Sequence, residues 1–154
     1  MSYLSQETLE RLRQCVKSSK WPINYNKWPI ELNTCTNCLA FALGLSMADT
    51  FYNIYTVRYS PFSKLEDLIE YLLNISSLEY RKIDSFDEAE NDEFIIQARK
   101  TDTSNFHVIR RNLDGTWVHK KGWYNAPTQI TNWKYIDSLY PIIAATFAVK
   151  KKAS

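Results

Sequence analysis

The feature that most constrains this chain is a single turn. Asn112-Leu113-Asp114-Gly115 separates two segments of strand-forming residues, and the only two histidines of the sequence, His107 and His119, lie on either side of it. An Asp-Gly pair of this kind predicts a type I turn closed by glycine in the left-handed region, a three-residue loop with a bulge. Taking Leu113 to Gly115 as the loop pairs Asn112 with Thr116, Arg110 with Val118 and Ile109 with His119. Side chains alternate along a strand, so His107, Ile109, Trp117 and His119 then share one face. The histidines become diagonal neighbours, within reach of each other or of one shared partner. A two-residue loop at Asp114-Gly115 would put them on opposite faces.

The rest of the sequence reads as one α+β domain over residues 1–154. With 154 residues, 45% of them hydrophobic, it holds enough apolar material for a core, which excludes a disordered chain. Charge is nearly balanced, 19 Lys and Arg against 17 Asp and Glu, and no basic stripe offers phosphate contacts, so no specific nucleic-acid partner is expected. No secretory leader is visible, and the longest apolar stretch, Ile142 to Val149, is too short to span a bilayer. A cytoplasmic protein with reduced thiols is the expectation.

Residues 1–32 predict a helix capped by Ser5, with Leu9, Leu12, Cys15 and Val16 on one face, followed by an aromatic arm. That arm repeats itself, KWPINYN then KWPIELN. Pro22 and Pro29 make the preceding tryptophans extended. Trp21 and Trp28 suit core burial, and Trp28 is also a candidate for lining a substrate groove, as is Trp117.

Residues 33–149 carry the candidate chemistry. A short, wholly apolar helix is expected from Cys38 to about Leu43, with Asn37 at its N-cap and Gly44 just past its end. A strand-like stretch follows at 51–59. Ser63 then caps an amphipathic helix whose buried stripe is Leu65, Leu68, Ile69, Leu72 and Leu73. The acidic stretch Asp84 to Glu93 reads as a surface turn or short helix. Strands are expected over 94–98, 106–111, 116–120 and 142–149. Gly122 marks a strand end, and 150–154 form a solvated basic tail.

Cys38 stands in the first turn of its helix, where free backbone N–H groups favour a thiolate. A small core residue is the competing reading of Cys38 taken alone. Beside two histidines on one hairpin face, Cys38 fits a nucleophile, with His107 as general base and His119 orienting it. The backbone N–H of Cys38, with Asn33 or Asn37, would stabilise the oxyanion; Asn37 also serves simply as a cap.

The segments NCLAFALG, NFHVIRR and GTWVHKKG, in that order, resemble the papain-like cysteine hydrolases, especially the compact NlpC/P60-like group and little-described bacterial and phage-type relatives. The resemblance covers roughly residues 33–149. It implies a papain-like fold in which a Cys-bearing helix packs on an antiparallel sheet. It also implies a peptidase or amidase acting on a peptide, a protein or a peptidoglycan stem peptide, with Cys38, His107 and His119 as the catalytic set and no cofactor. Thr34 to Asn37 replace the Asp-Cys-Ser-Gly pattern common in that group, which leaves the substrate open.

Two other readings compete. Cys35 and Cys38 form a CxxC pair, which suggests redox chemistry or, with both histidines, a zinc site. Alternatively the chain is a non-enzymatic binding module, for instance a phage-type protein that inhibits a host protein. The acidic stretch and the aromatic arm would be its contact surfaces.

Overall fold

A computed structural model describes residues 38–43, 65–75, 78–101, 106–121 and 128–152. The expected Ser5-capped helix, the aromatic arm, the stretch at 51–59, and Cys15, Cys35, Ser63, Gly44 and Gly122 lie outside the described residues. The elements are α1 (Cys38–Leu43), α2 (Leu65–Ile75), β1 (Leu78–Lys82), a 3-10 turn (Phe86–Glu88), β2 (Phe94–Lys100), β3 (Phe106–Arg111), β4 (Trp117–His119), β5 (Thr128–Gln129), α3 (Trp133–Leu139) and β6 (Ile142–Lys151). The strands form one antiparallel sheet in the order β1-β6-β2-β3-β4-β5. It is a mixed α and β architecture, and among the described residues the helices are few and short. None is long and apolar enough to cross a membrane.

Alternation along the central strand sorts the sheet into two faces. On one, Phe94, Ile96, Ala98, Val108, Phe147 and Val149 pack with Cys38, Ala42 and Leu43 of α1 and with Ile69 and Leu73 of α2. The helices are held there by chemistry as well as packing. The buried Arg110 guanidinium lies 4.1 Å from the Phe94 ring centre and donates to the carbonyl oxygen of Ala42 at 3.3 Å. That contact supplies a cation and a donor to the end of α1, where carbonyls lack partners within the helix. Glu66 of α2 pairs with Lys82 of β1.

On the other face, Ile83, Ile95 and Ala148 form one small cluster, and Ile109 packs with Ile130 and Ile136 in another. Trp117 bridges them, 4.9 Å from Phe86 and 5.4 Å from Trp133 between ring centres. Helix α3 covers this side. Asn132 caps it, its side-chain oxygen accepting from the Tyr135 amide at 3.3 Å.

The decisive turn takes the three-residue form. The Asn112 amide donates to the Thr116 oxygen at 2.9 Å, and Gly115 N–H to the Asn112 oxygen at 3.0 Å. Gly115 has φ +89°, a conformation that side chains with a Cβ rarely adopt. Asp114 reinforces the turn by accepting from both the amide and the hydroxyl of Thr116. These bonds hold its carboxyl below the usual range. The resulting register sets Arg110 opposite Val118.

Several boundaries differ from the expectation. The fourth strand is shorter, Trp117–His119. The last strand runs on to Lys151, so the tail assigned to 150–154 begins inside the sheet, while Lys151 and Lys152 are exposed as expected. Glu79 pairs with Lys150 and Leu78 with Lys151 in register, because β1 supplies the edge that the tail needed. The acidic stretch is mostly exposed around its 3-10 turn, but Glu93 is buried and ion-paired with Arg81 at 2.8 Å. That pairing and bonding to the Glu90 amide hold the Glu93 carboxyl low against the opposing effect of burial.

Candidate functional site

The face of the sheet under α3 carries a buried polar strip beside its apolar cluster of Ile109, Ile130 and Ile136. In β2, Gln97 and Arg99 alternate with Ile96 and Ala98, and they point to the same side as His107 and Ile109. Every polar group there finds a partner. Gln97 Nε2 donates to Thr146 Oγ1 at 3.1 Å, and Arg99 Nε donates to Gln97 Oε1 at 2.8 Å. Arg99 also reaches Asp137 of α3 at 2.5 Å and lies 5.9 Å from the Trp133 ring centre. Two strands and a helix are thus clasped around one buried guanidinium.

The histidines sit beside this clasp. His107 Nε2 lies 2.9 Å from His119 Nδ1, with the ring planes at 71°. Tyr140, just after α3, stacks on His107 with ring centres 5.1 Å apart. Both rings are almost fully buried. Burial, then the charges of His119, Lys121 and Arg99, push the His107 pKa down to about 3. Burial and Lys121 push His119 down to about 4. Near neutral pH both rings are therefore uncharged, and one proton sits between Nε2 and Nδ1. When His107 donates from Nε2, its Nδ1 is free to accept a proton. With its pKa held low by burial, His107 is a weak base in this setting, and Nε2 is its nitrogen engaged with His119.

His119 also borders a cleft of about 160 Å³. Lys121, Thr128, Thr131, Asn132 and Tyr135 line it with His119.

Cys38 lies elsewhere. It is buried in the cluster that contains Val108, on the α1 side of the sheet, whereas His107 and Ile109 face α3. Among the described residues, no hydrogen bond joins its sulfur to either histidine. The thiol is not in a disulfide. Helix α1 does begin at Cys38, as expected. Asn33, Asn37 and Trp28 lie outside the described residues. Trp117 is half-buried in the aromatic bridge between the two clusters. Cys38 and the two histidines do not converge as zinc ligands, and among the described residues no group of three or more His, Cys, Asp or Glu is placed to hold a metal.

Compared with known proteins, the chain matches no protein family, no curated sequence and no solved structure.

Sequence reasoning missed Arg99, Asp137, Lys121 and Tyr140. Arg99 left a signal: in FIIQARK, Gln97 and Arg99 are two residues apart inside an otherwise apolar run, so they share one face. Asp137 and Tyr140 left none, because nothing local says that α3 returns over that face.

Proposed function

We propose that the chain is a cysteine-nucleophile hydrolase of amide bonds, a peptidase or amidase of papain-like type, with Cys38, His107 and His119 as its reacting set. The observation that carries the reading is the His107–His119 hydrogen bond. It anchors Nε2 of the base and leaves Nδ1 for a thiol. In support, α1 starts at Cys38, which puts the thiol at the positive end of a helix dipole.

The chemistry proceeds in two halves. The Cys38 thiol gives its proton to His107 Nδ1 as sulfur bonds to the carbonyl carbon. The tetrahedral oxyanion rests on the Cys38 amide, with Asn33 or Asn37 as the second donor. The C–N bond then breaks, the amine leaves with the proton from His107, and a thioester remains. Water, deprotonated by His107, cleaves the thioester and returns the proton to sulfur. The first step requires Cys38 Sγ to come round the beginning of β3 to His107 Nδ1, because the two side chains lie on opposite faces. Both stand near element ends, Cys38 first in α1 and His107 second in β3. The substrates that fit are peptides, protein segments and peptidoglycan stem peptides, and the proposed setting is the cytoplasm.

Hydrolysis of a mixed peptide and stem-peptide panel tests this reading. Cys38→Ala is expected to fold normally, since it only shortens one buried side chain, and to lose all turnover. Undiminished turnover in a folded Cys38→Ala protein overturns it.

The burial of Cys38 away from the histidines favours a second reading, a non-enzymatic module that binds a host protein. A protein that binds its target and hydrolyses nothing in the panel, with and without Cys38, supports that alternative.

A further inference from the structure

Helix α3 meets the sheet through one stripe of side chains. Trp133, Ile136, Asp137 and Tyr140 recur at the three- and four-residue spacing that puts them on one side of a helix. Each of them meets the face that carries the histidines. Trp133 packs on Trp117 and faces the Arg99 guanidinium, Ile136 joins Ile109, Asp137 pairs with Arg99, and Tyr140 stacks on the His107 ring. The Tyr140 amide donates to the Ile136 oxygen at 2.8 Å, which ties the ring to the last turn of α3. Asp137 and Tyr140 therefore move together. Their two targets are also neighbours, since Arg99 stands directly opposite His107 in the β2–β3 register. Ile136 is the one fully buried residue of α3. Apolar burial alone thus holds the helix weakly, and the 2.5 Å bond from the buried guanidinium to Asp137 carries a large share.

We propose that the Arg99–Asp137 clasp positions the histidine pair: it holds α3, and through α3 the Tyr140 ring, against His107, so that Nε2 stays hydrogen-bonded to His119 Nδ1. Neither Arg99 nor Asp137 touches a reacting atom in this scheme; both are positioning residues. The inference rests on the hydrolase reading for its use in turnover, but the state of the rings is measurable without it. Gln97 fixes the other side of the guanidinium. Its Oε1 accepts from Arg99 Nε at 2.8 Å while its Nε2 donates to Thr146, so Arg99 is held from β2 as well as from α3. A planar fork held at two nitrogens keeps one orientation. Its charge acts in the same direction. After burial and the charges of His119 and Lys121, Arg99 opposes protonation of His107, and the neutral ring is the form that shares one proton with His119.

Because the sequence holds two histidines, selective ¹⁵N-histidine labelling of the full chain gives ring signals from this pair alone. Two readouts follow the pair at neutral pH. One is the scalar coupling between His107 Nε2 and His119 Nδ1 across their hydrogen bond; the other is the rate at which diethyl pyrocarbonate acylates His107. The Asp137 side chain is 61% exposed, so Asp137→Ala leaves the fold intact. This variant is expected to weaken the coupling and to speed acylation about threefold, the scale of an ion pair with one partner in solvent. Arg99→Met, which removes both holds of the clasp, should abolish the coupling and speed acylation about tenfold. Lys134→Met, on α3 but outside the stripe, should change neither. A folded Asp137→Ala protein with wild-type coupling and acylation overturns the inference, as does an equal effect of Lys134→Met. Loosened rings in a protein that hydrolyses nothing leave the clasp standing and remove the hydrolase. Hydrolysis in a protein whose rings ignore Asp137→Ala does the reverse. Where both hold, the loss in Asp137→Ala falls on kcat rather than KM.

Discussion

His107→Ala is expected to lower turnover by about 10²–10⁴-fold, the usual contribution of a positioned general base. The loss should fall on kcat, since the imidazole acts in proton transfer and not in holding the substrate. His119 acts one step back, through its 2.9 Å bond to His107 Nε2. His119→Ala should therefore cost less than His107→Ala. His119→Asn should recover part of that loss, because the Asn oxygen can accept the same hydrogen bond. A purely structural His119 predicts a different pattern: the alanine and asparagine variants would be equally active once folded. Each variant is checked by circular dichroism, so that a failed fold is not scored as failed catalysis.

Acid should unfold this protein early. Both histidines are held neutral when folded, His107 near pKa 3 and His119 near 4, while the unfolded chain titrates at the ordinary value of 6.5. Above 6.5 neither state binds the protons, and the stability associated with neutral burial is fully present. Between 6.5 and about 4 the unfolded chain takes them up and the folded chain does not, so stability falls as pH falls. The loss is about 1.4 kcal/mol per pH unit for each histidine. Over two units the pair accounts for several kcal/mol, a large part of a small domain's stability. The carboxylates held low, Glu88, Glu93 and Asp114, act in a more acid window, below the ordinary carboxylate range. Denaturant midpoints from pH 7.5 to 4.5 should fall steadily. A His107→Gln, His119→Gln double variant should be flatter over the same span. A wild-type curve with no slope between pH 6.5 and 4.5 contradicts the buried, neutral pair.

What the sequence made legible follows from how local each signal is. The Asp-Gly turn specifies its loop length through the positive φ at Gly115, and loop length specifies register, so the meeting of His107 and His119 followed from a few adjacent residues. Helix α1 was legible from its short apolar run, and α2 from its amphipathic period. The face on which α1 packs was not. A helix apolar on all sides carries no direction, so nothing in CLAFAL says whether Cys38 meets Val108 or His107. Strand β1 was missed because LEYRK, with Leu78 buried and its charges outward, is an edge strand with little apolar pattern. Helix α3 was missed for a related reason. WKYIDSL buries only Ile136, and its hold on the sheet comes from Asp137 meeting Arg99, a contact between residues far apart in sequence.

The central claim is that Cys38 is a nucleophile activated by the histidine pair. Its most direct test is alkylation by iodoacetamide at neutral pH, with each cysteine followed by peptide mass spectrometry. Cys38 is expected to react much faster than Cys15 or Cys35, and His107→Ala to slow it by at least tenfold while leaving the other two unchanged. Slow, equal labelling of all three thiols, indifferent to His107, would contradict the account.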